Sequence, residues 1–214
     1  MYVPTHFRED RLPVLHQAIR RFGFGTLVTH GSGGLEASHI PLLLDDGEGP
    51  FGTLYGHLAR PNPQWKGIGS GTPALAIFLG PNAYISPSWY PTKQETGKVV
   101  PTWNYLAIHA HGEVGTFDDP ERLREHVTQL TETHESARPA PWAVSDAPSE
   151  FIDSMLRGIV GVVIRITRLD GKWKMSQNRP GQDQAGVLGR LSGEGGPDQA
   201  AVAEIIRNRL KEQA

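Results

Sequence analysis

Apolar positions near the start of the chain recur at two different periods. Leu12, Leu15, Ile19 and Phe22 follow steps of three, four and three, which places them on one face of a helix over residues 11–22. Asp10 suits its cap, Pro13 its first turn, and Gly23 its stop. The period then falls to two. Residues 24–29 and 35–44 read as strands on either side of a glycine-rich turn at 30–34, and 51–57 as a third strand. Pro41 cannot donate to a strand ladder, which predicts an edge or a bulge there. Strands are also predicted at 74–79 and 83–86 around a Gly80-Pro81-Asn82 turn, at 105–117, and in the β-branched run 159–169. Asp170-Gly171 reads as a tight turn into a return strand at 172–177. Asp118 or Asp119 caps a helix with Pro120 at its first position and Leu123, Val127 and Leu130 inside. A short helix is predicted at 151–157, and a last one opens at Pro197. Residues 87–102 read as an aromatic loop, 136–148 as a proline-rich loop and 178–197 as a polar loop. Strands mostly follow strands directly, so the pattern predicts a mainly β fold, an antiparallel β-barrel with flanking helices. It predicts a single domain over residues 1–214.

Composition sharpens this. The 25 glycines and 17 prolines among 214 residues exclude a helical bundle, because both residues interrupt helices. There is no cysteine, which excludes disulfides, thiolate zinc sites, iron–sulfur clusters and cysteine nucleophiles. With 21 basic and 23 acidic residues the formal charge is -2, without the basic excess usual in a dedicated nucleic-acid binder. No stretch approaches the roughly 20 apolar residues of a membrane span. The opening MYVPTHFRED has no apolar signal core, so a cytoplasmic protein with no membrane association is expected.

Four clusters mix hydrogen-bonding groups with aromatic or rigid ones: ASHIP at 37–41, GHLARPNPQW at 56–65, SPSWYP through PTWNY at 86–105, and KMSQNR at 174–179. A flat, conjugated, phosphorylated ligand needs that mixture. Arg60 with Ser38 suits a phosphate. Trp89 and Trp103 suit a ring wall, and Asn104, Gln177 or Asn178 the polar ring edge. Polar turns and core tryptophans of an ordinary barrel remain the alternative. His109 and His111 share one strand face and could join His39 or His57, but no spacing beyond the pair supports a metal site, and none is assigned. GIGSGT at 67–72 follows a helical turn and matches no phosphate-loop or dinucleotide fingerprint. No catalytic residue is assigned, although His57 is the best candidate if a proton must move.

Taken together and in order, MYVPTHF, ASHIPLLL, GHLARPNPQW, IFLGPNAYISPSWY, VPTWNYLAIHAHG and KWKMSQNRP resemble the PaiB-like family of FMN-binding negative transcriptional regulators. The resemblance runs from residue 1 to about residue 190. It implies a split β-barrel of the FMN-binding type and a homodimer with FMN in a groove between protomers. By the same resemblance the groove is lined by Ser38, His39 and Ile40, by His57, Leu58, Ala59, Arg60 and Asn62, and by Trp89. Thr102, Trp103, Asn104, Lys174, Ser176, Gln177 and Asn178 complete it. The implied function is a flavin-dependent or redox-linked regulator acting through a protein partner. An FMN-dependent oxidoreductase and a direct DNA-binding repressor are the alternatives, and the charge balance argues against the latter.

Overall fold

A computed structural model describes residues 1–31, 33–193 and 196–212. Its strands are β1 (Arg8–Glu9), β2 (Phe24–Gly31), β3 (Gly34–Pro41), β4 (Leu43–Asp45), β5 (Thr53–Ala59), β6 (Thr72–Ile85), β7 (Thr102–Phe117) and β8 (Ile159–Lys174). Its helices are α1 (Leu12–Arg21), α2 (Thr92–Thr96), α3 (Pro120–Glu135), α4 (Ser149–Leu156), α5 (Gly181–Gly193) and α6 (Pro197–Glu212). The strands form one eight-stranded sheet in the order β3-β2-β6-β7-β8-β5-β4, with β1 added on β8. The β2–β3, β2–β6, β4–β5, β5–β8 and β1–β8 pairs are antiparallel. The mainly β class is the one the pattern predicts. Among the described residues no helix is long and apolar enough to cross a membrane.

The chain groups into two compact units. One comprises His16–Phe78 and His109–Leu169. In it β3 and β4 stand at opposite ends of the strand order, yet only Leu42 separates them in the chain. The sheet of this unit therefore curls back on itself. Leu42 is buried at the join, and a Cβ added at Gly25 or Gly56 would sit 3.1 or 2.9 Å from its methyl groups. Outside the sheet, Phe117, Leu123, Val144, Ile152, Leu156 and Val163 seat α3 and α4 on the strands. Asp119 caps α3 by accepting from the Arg122 backbone N–H at 2.9 Å.

The other unit comprises Met1–Leu15, Leu79–Ile108 and Asp170–Ala214. Its core includes Trp173 and Met175 from the end of β8 and the segment after it, with Val187 and Leu191 of α5 and Val202 and Ile206 of α6. Asp183 of α5 is buried and accepts from the Thr92 backbone N–H at 3.1 Å and the Thr92 hydroxyl at 2.8 Å, which ties α5 to the start of α2.

Several elements differ from the pattern, beginning with α2, which puts a short helix inside the expected loop at 87–102. Gly80-Pro81-Asn82 is not a turn, since β6 runs straight through it. Its buried positions shift from Ala74, Ala76 and Phe78 to Pro81, Ala83 and Ile85, the one-residue phase change of a bulge. Asp170-Gly171 is not a turn either. β1 pairs there, Glu9 against Gly171, and a Cβ at Gly171 would meet the Glu9 carbonyl at 2.6 Å. Glycine serves close approach at this position rather than a reversal. Finally, residues 181–193 are helical, with Asp183, Val187 and Leu191 buried at intervals of four. Residues 194 and 195 of the expected loop, and Ser32 of the expected turn, lie outside the described residues.

Candidate cofactor site

The sequence-predicted residues divide between the two units. Trp89, Thr102, Trp103, Asn104, Lys174, Ser176, Gln177 and Asn178 belong to the unit that ends the chain. Strand alternation turns Thr102 and Asn104 to one face of β7 and Trp103 to the other. Asn104 is fully buried. Its Nδ2 donates to the Ser176 hydroxyl at 2.9 Å, and that hydroxyl donates to its Oδ1 at 3.1 Å. Ser176 sits at φ +63, a left-handed backbone that a serine adopts only where its surroundings hold it. Gln177 supplies part of that hold. Its Oε1 accepts from the Met175 backbone N–H at 2.6 Å, and its Nε2 donates to the Trp173 carbonyl at 2.5 Å. Gln177 thus clamps the turn that presents Ser176.

Lys174 reaches the same place. Its ammonium donates to the Thr102 hydroxyl and, at 2.8 Å, to the Trp103 carbonyl. Burial, followed by the charges of Lys172 and Arg179, pushes its pKa down. Arg179 lies 4.9 Å over the Tyr90 ring. Thr102, Asn104, Lys174, Ser176, Asn178 and Arg179 enclose a recess of about 40 Å³. Among the described residues, neither Lys174 nor Arg179 has a carboxylate within ion-pair distance. A recess with two uncompensated cations, two hydroxyls and an amide fits the end of a phosphate monoester. On the other face of β7, Trp103 and Tyr84 meet edge to face at 6.1 Å and both remain about half exposed. Trp89 is half-buried in a single 3-10 turn, where Ser86 accepts from the Ser88 backbone N–H at 3.2 Å.

Ser38, His39, Ile40, His57, Leu58, Ala59, Arg60 and Asn62 belong to the other unit. Asn62 donates to the Ser38 hydroxyl at 2.8 Å and accepts from the Gln64 backbone N–H at 2.9 Å. Gln64 is buried. Its Nε2 faces the Leu27 carbonyl, the Thr29 hydroxyl and the Glu36 carbonyl, while its Oε1 has no partner. Ile40 and Leu58 point into the core, so only their backbones can face a ligand. Ala59 is exposed, as is His39, whose Nδ1 lies 2.9 Å from the Thr26 hydroxyl. Arg60 is committed elsewhere. Its Nε donates to the Arg157 carbonyl at 2.8 Å and one terminal nitrogen to the Ile159 carbonyl at 2.9 Å. Lys174 and Arg179, unlike Arg60, line a polar recess with no carboxylate partner among the described residues. His57 Nδ1 lies 3.1 Å from Nε2 of His126, a residue of α3 that no motif marks. Burial pushes both histidines down, His126 to about 4 with His57 as the second cause.

Sequence reasoning left Arg179, Gln64 and His126 out of the site. Arg179 and Gln64 lie inside quoted motifs, so composition could have found them. His126 sits between Leu123 and Val127 of the buried α3 stripe, and its only signal is a polar side chain at a core-facing position.

Comparison with known proteins joins these features to a family. Residues 1–168 match the family described as "Putative FMN-binding domain". The chain is 33% identical to the protease synthase and sporulation protein PAI 2 of Bacillus subtilis, over the whole of both chains. A conserved hypothetical protein of Mycobacterium tuberculosis shares the fold with a TM-score of 0.58 at 13% identity, over 84% of this chain and 94% of that one. An FAD and heme binding protein of Mycobacterium smegmatis does so with 0.57 at 14% identity, over 78% and 73%. Matched along its full length to PAI 2 and along most of it to the family model, the chain belongs to the family described as "Putative FMN-binding domain".

Proposed function

We propose that this protein binds FMN as a cytoplasmic homodimer and acts as a flavin-dependent or redox-linked regulator. The observation that supports the cofactor is the recess at the end of β8, where Lys174 and Arg179 face hydroxyls with no balancing carboxylate among the described residues. In this reading Lys174 and Arg179 neutralise the phosphate, and Thr102 and Ser176 offer it their hydroxyls. Asn104 and Gln177 hold Ser176 in its left-handed turn so that these donors are arranged before the ligand arrives. Bound FMN would supply the electron-transfer chemistry. His57 is neutral near pH 7 and can pass or hold a proton through its bond to His126. The regulatory role is carried over from the resemblance to the PaiB-like regulators, and similarity to PAI 2 supports it.

Titration with FMN and with riboflavin tests this. A charge-assisted hydrogen bond is worth about 1.5–3 kcal/mol, so Lys174→Ala should weaken FMN roughly 10- to 100-fold and leave riboflavin nearly unchanged. Equal affinity of the native protein for the two flavins would remove the phosphate site.

A further inference from the structure

The unit formed by His16–Phe78 and His109–Leu169 contains a cleft of about 420 Å³ that the flavin reading does not use. That volume lies within the range of roughly 300–1,000 Å³ typical of small-molecule sites. Its walls come from β4, Tyr55 of β5, Phe117 at the end of β7, and one face of α3. On α3, Arg122 and His126 are one turn apart and present their donors on the same face.

Arg122 is fixed but uncompensated. Its guanidinium lies 4.3 Å over the Phe117 ring and 5.7 Å over Tyr55, and among the described residues no carboxylate comes within ion-pair distance. Stacking holds the fork in place, and part of it also faces the Tyr55 hydroxyl. Asp46 in the same wall is already paired with Arg20 at 2.7 Å. His126 is 4% exposed and lines the cleft, and its Nδ1 has no partner. A buried polar atom left without a partner is destabilising, and a ligand group can relieve it. When the bond to His57 is donated by His57, His126 Nδ1 carries the hydrogen and becomes a second donor beside Arg122. Two donors on one helix turn suit a carboxylate. The rim carries the opposite sign. Asp45 and Glu125 use one oxygen each on the Gly47 backbone N–H and the Gln129 amide, and each keeps another. A bare carboxylate is repelled by that rim, and a bare amine by Arg122.

We propose that this cleft binds a small zwitterion of the amino-acid type. Its carboxylate meets Arg122 and His126, its ammonium meets Asp45 and Glu125, and its short apolar body lies along Leu43 and Phe117. Apart from His126, whose bond to His57 the flavin reading also uses, the assignment does not rest on the flavin site.

The test is calorimetric titration of the full-length protein with ω-amino acids from 3-aminopropanoate to 6-aminohexanoate. Alkanoates and alkylamines of matched length serve as comparators. At least one amino acid should bind saturably and at least tenfold more tightly than both of its comparators. Arg122→Gln should abolish that preference while FMN binding and circular dichroism stay as in the native protein. No saturable amino-acid binding, an alkanoate or alkylamine that binds equally well, or an unchanged preference in Arg122→Gln would overturn the proposal.

Discussion

At the scale of one residue, His126 ties stability to pH. It is buried against His57 at 3.1 Å, and the two rings share one hydrogen bond, so they cannot both carry a proton there. Burial first, and then charge on His57, hold the His126 pKa at about 4, whereas an unfolded histidine titrates near 6.5. Between those values the unfolded chain binds a proton that the fold refuses, so stability rises with pH. The penalty begins as pH falls below about 6.5 and is complete below about 4. At about 1.4 kcal/mol per pKa unit it is on the order of 3 kcal/mol. His126→Gln keeps a polar side chain that does not titrate. Urea unfolding compared between about pH 7.5 and pH 4.5 should show the native protein losing more stability than the variant. Equal losses would show that the acid sensitivity lies elsewhere. The comparison is between two pH values of each protein, so a general destabilisation of the variant does not disturb it.

At the scale of elements, Arg60 joins three of them. Its backbone N–H donates to the Gly158 carbonyl at 2.7 Å, and its side chain takes the carbonyls of Arg157 and Ile159. The end of β5 is thereby fastened to the turn between α4 and β8, where helix-end carbonyls lack partners of their own. Arg60→Ala should cost about 1–3 kcal/mol. It should lower the thermal midpoint and leave the FMN dissociation constant close to native. A tenfold loss of FMN affinity with an unchanged midpoint would return Arg60 to the phosphate. Where a local period decides the structure, the sequence was readable: α1, α3, α6, the first half of β8 and the β2–β3 pair all follow from spacing and caps. Where a distant partner decides it, the sequence was silent. Gly171 looks like a turn until Glu9 is found beside it, and α5 looks like loop until Asp183 is found holding Thr92. The candidate site divides in the same way. The motif residues were visible as composition. The bond between Asn104 and Ser176 spans 72 residues, and the His57–His126 bond spans 69, so no short window could pair them.

For the whole molecule, charge and cavity size lead to opposite expectations for two kinds of partner. A formal charge of -2 gives DNA no general attraction, so a mobility-shift titration across salt should show no saturable, operator-specific binding at physiological ionic strength. A second copy is a different matter. The recess around Lys174 has about 40 Å³, enough for phosphate oxygens and far below the roughly 300 Å³ or more of a pocket that encloses a small molecule. An isoalloxazine ring anchored there by its phosphate is left to be covered by another surface, and the shared-groove reading assigns that role to the partner protomer. In that reading flavin binding and dimerisation are linked by mass action: FMN would stabilise a dimer, and dilution towards monomer would release FMN. Sedimentation velocity with and without FMN, over a dilution series, should show the dimer persisting to lower concentration when FMN is present. The apparent FMN dissociation constant should rise as the protein is diluted. A monomer that holds FMN with the same affinity at every protein concentration would rule out a shared groove and require one copy to cover the ring by itself.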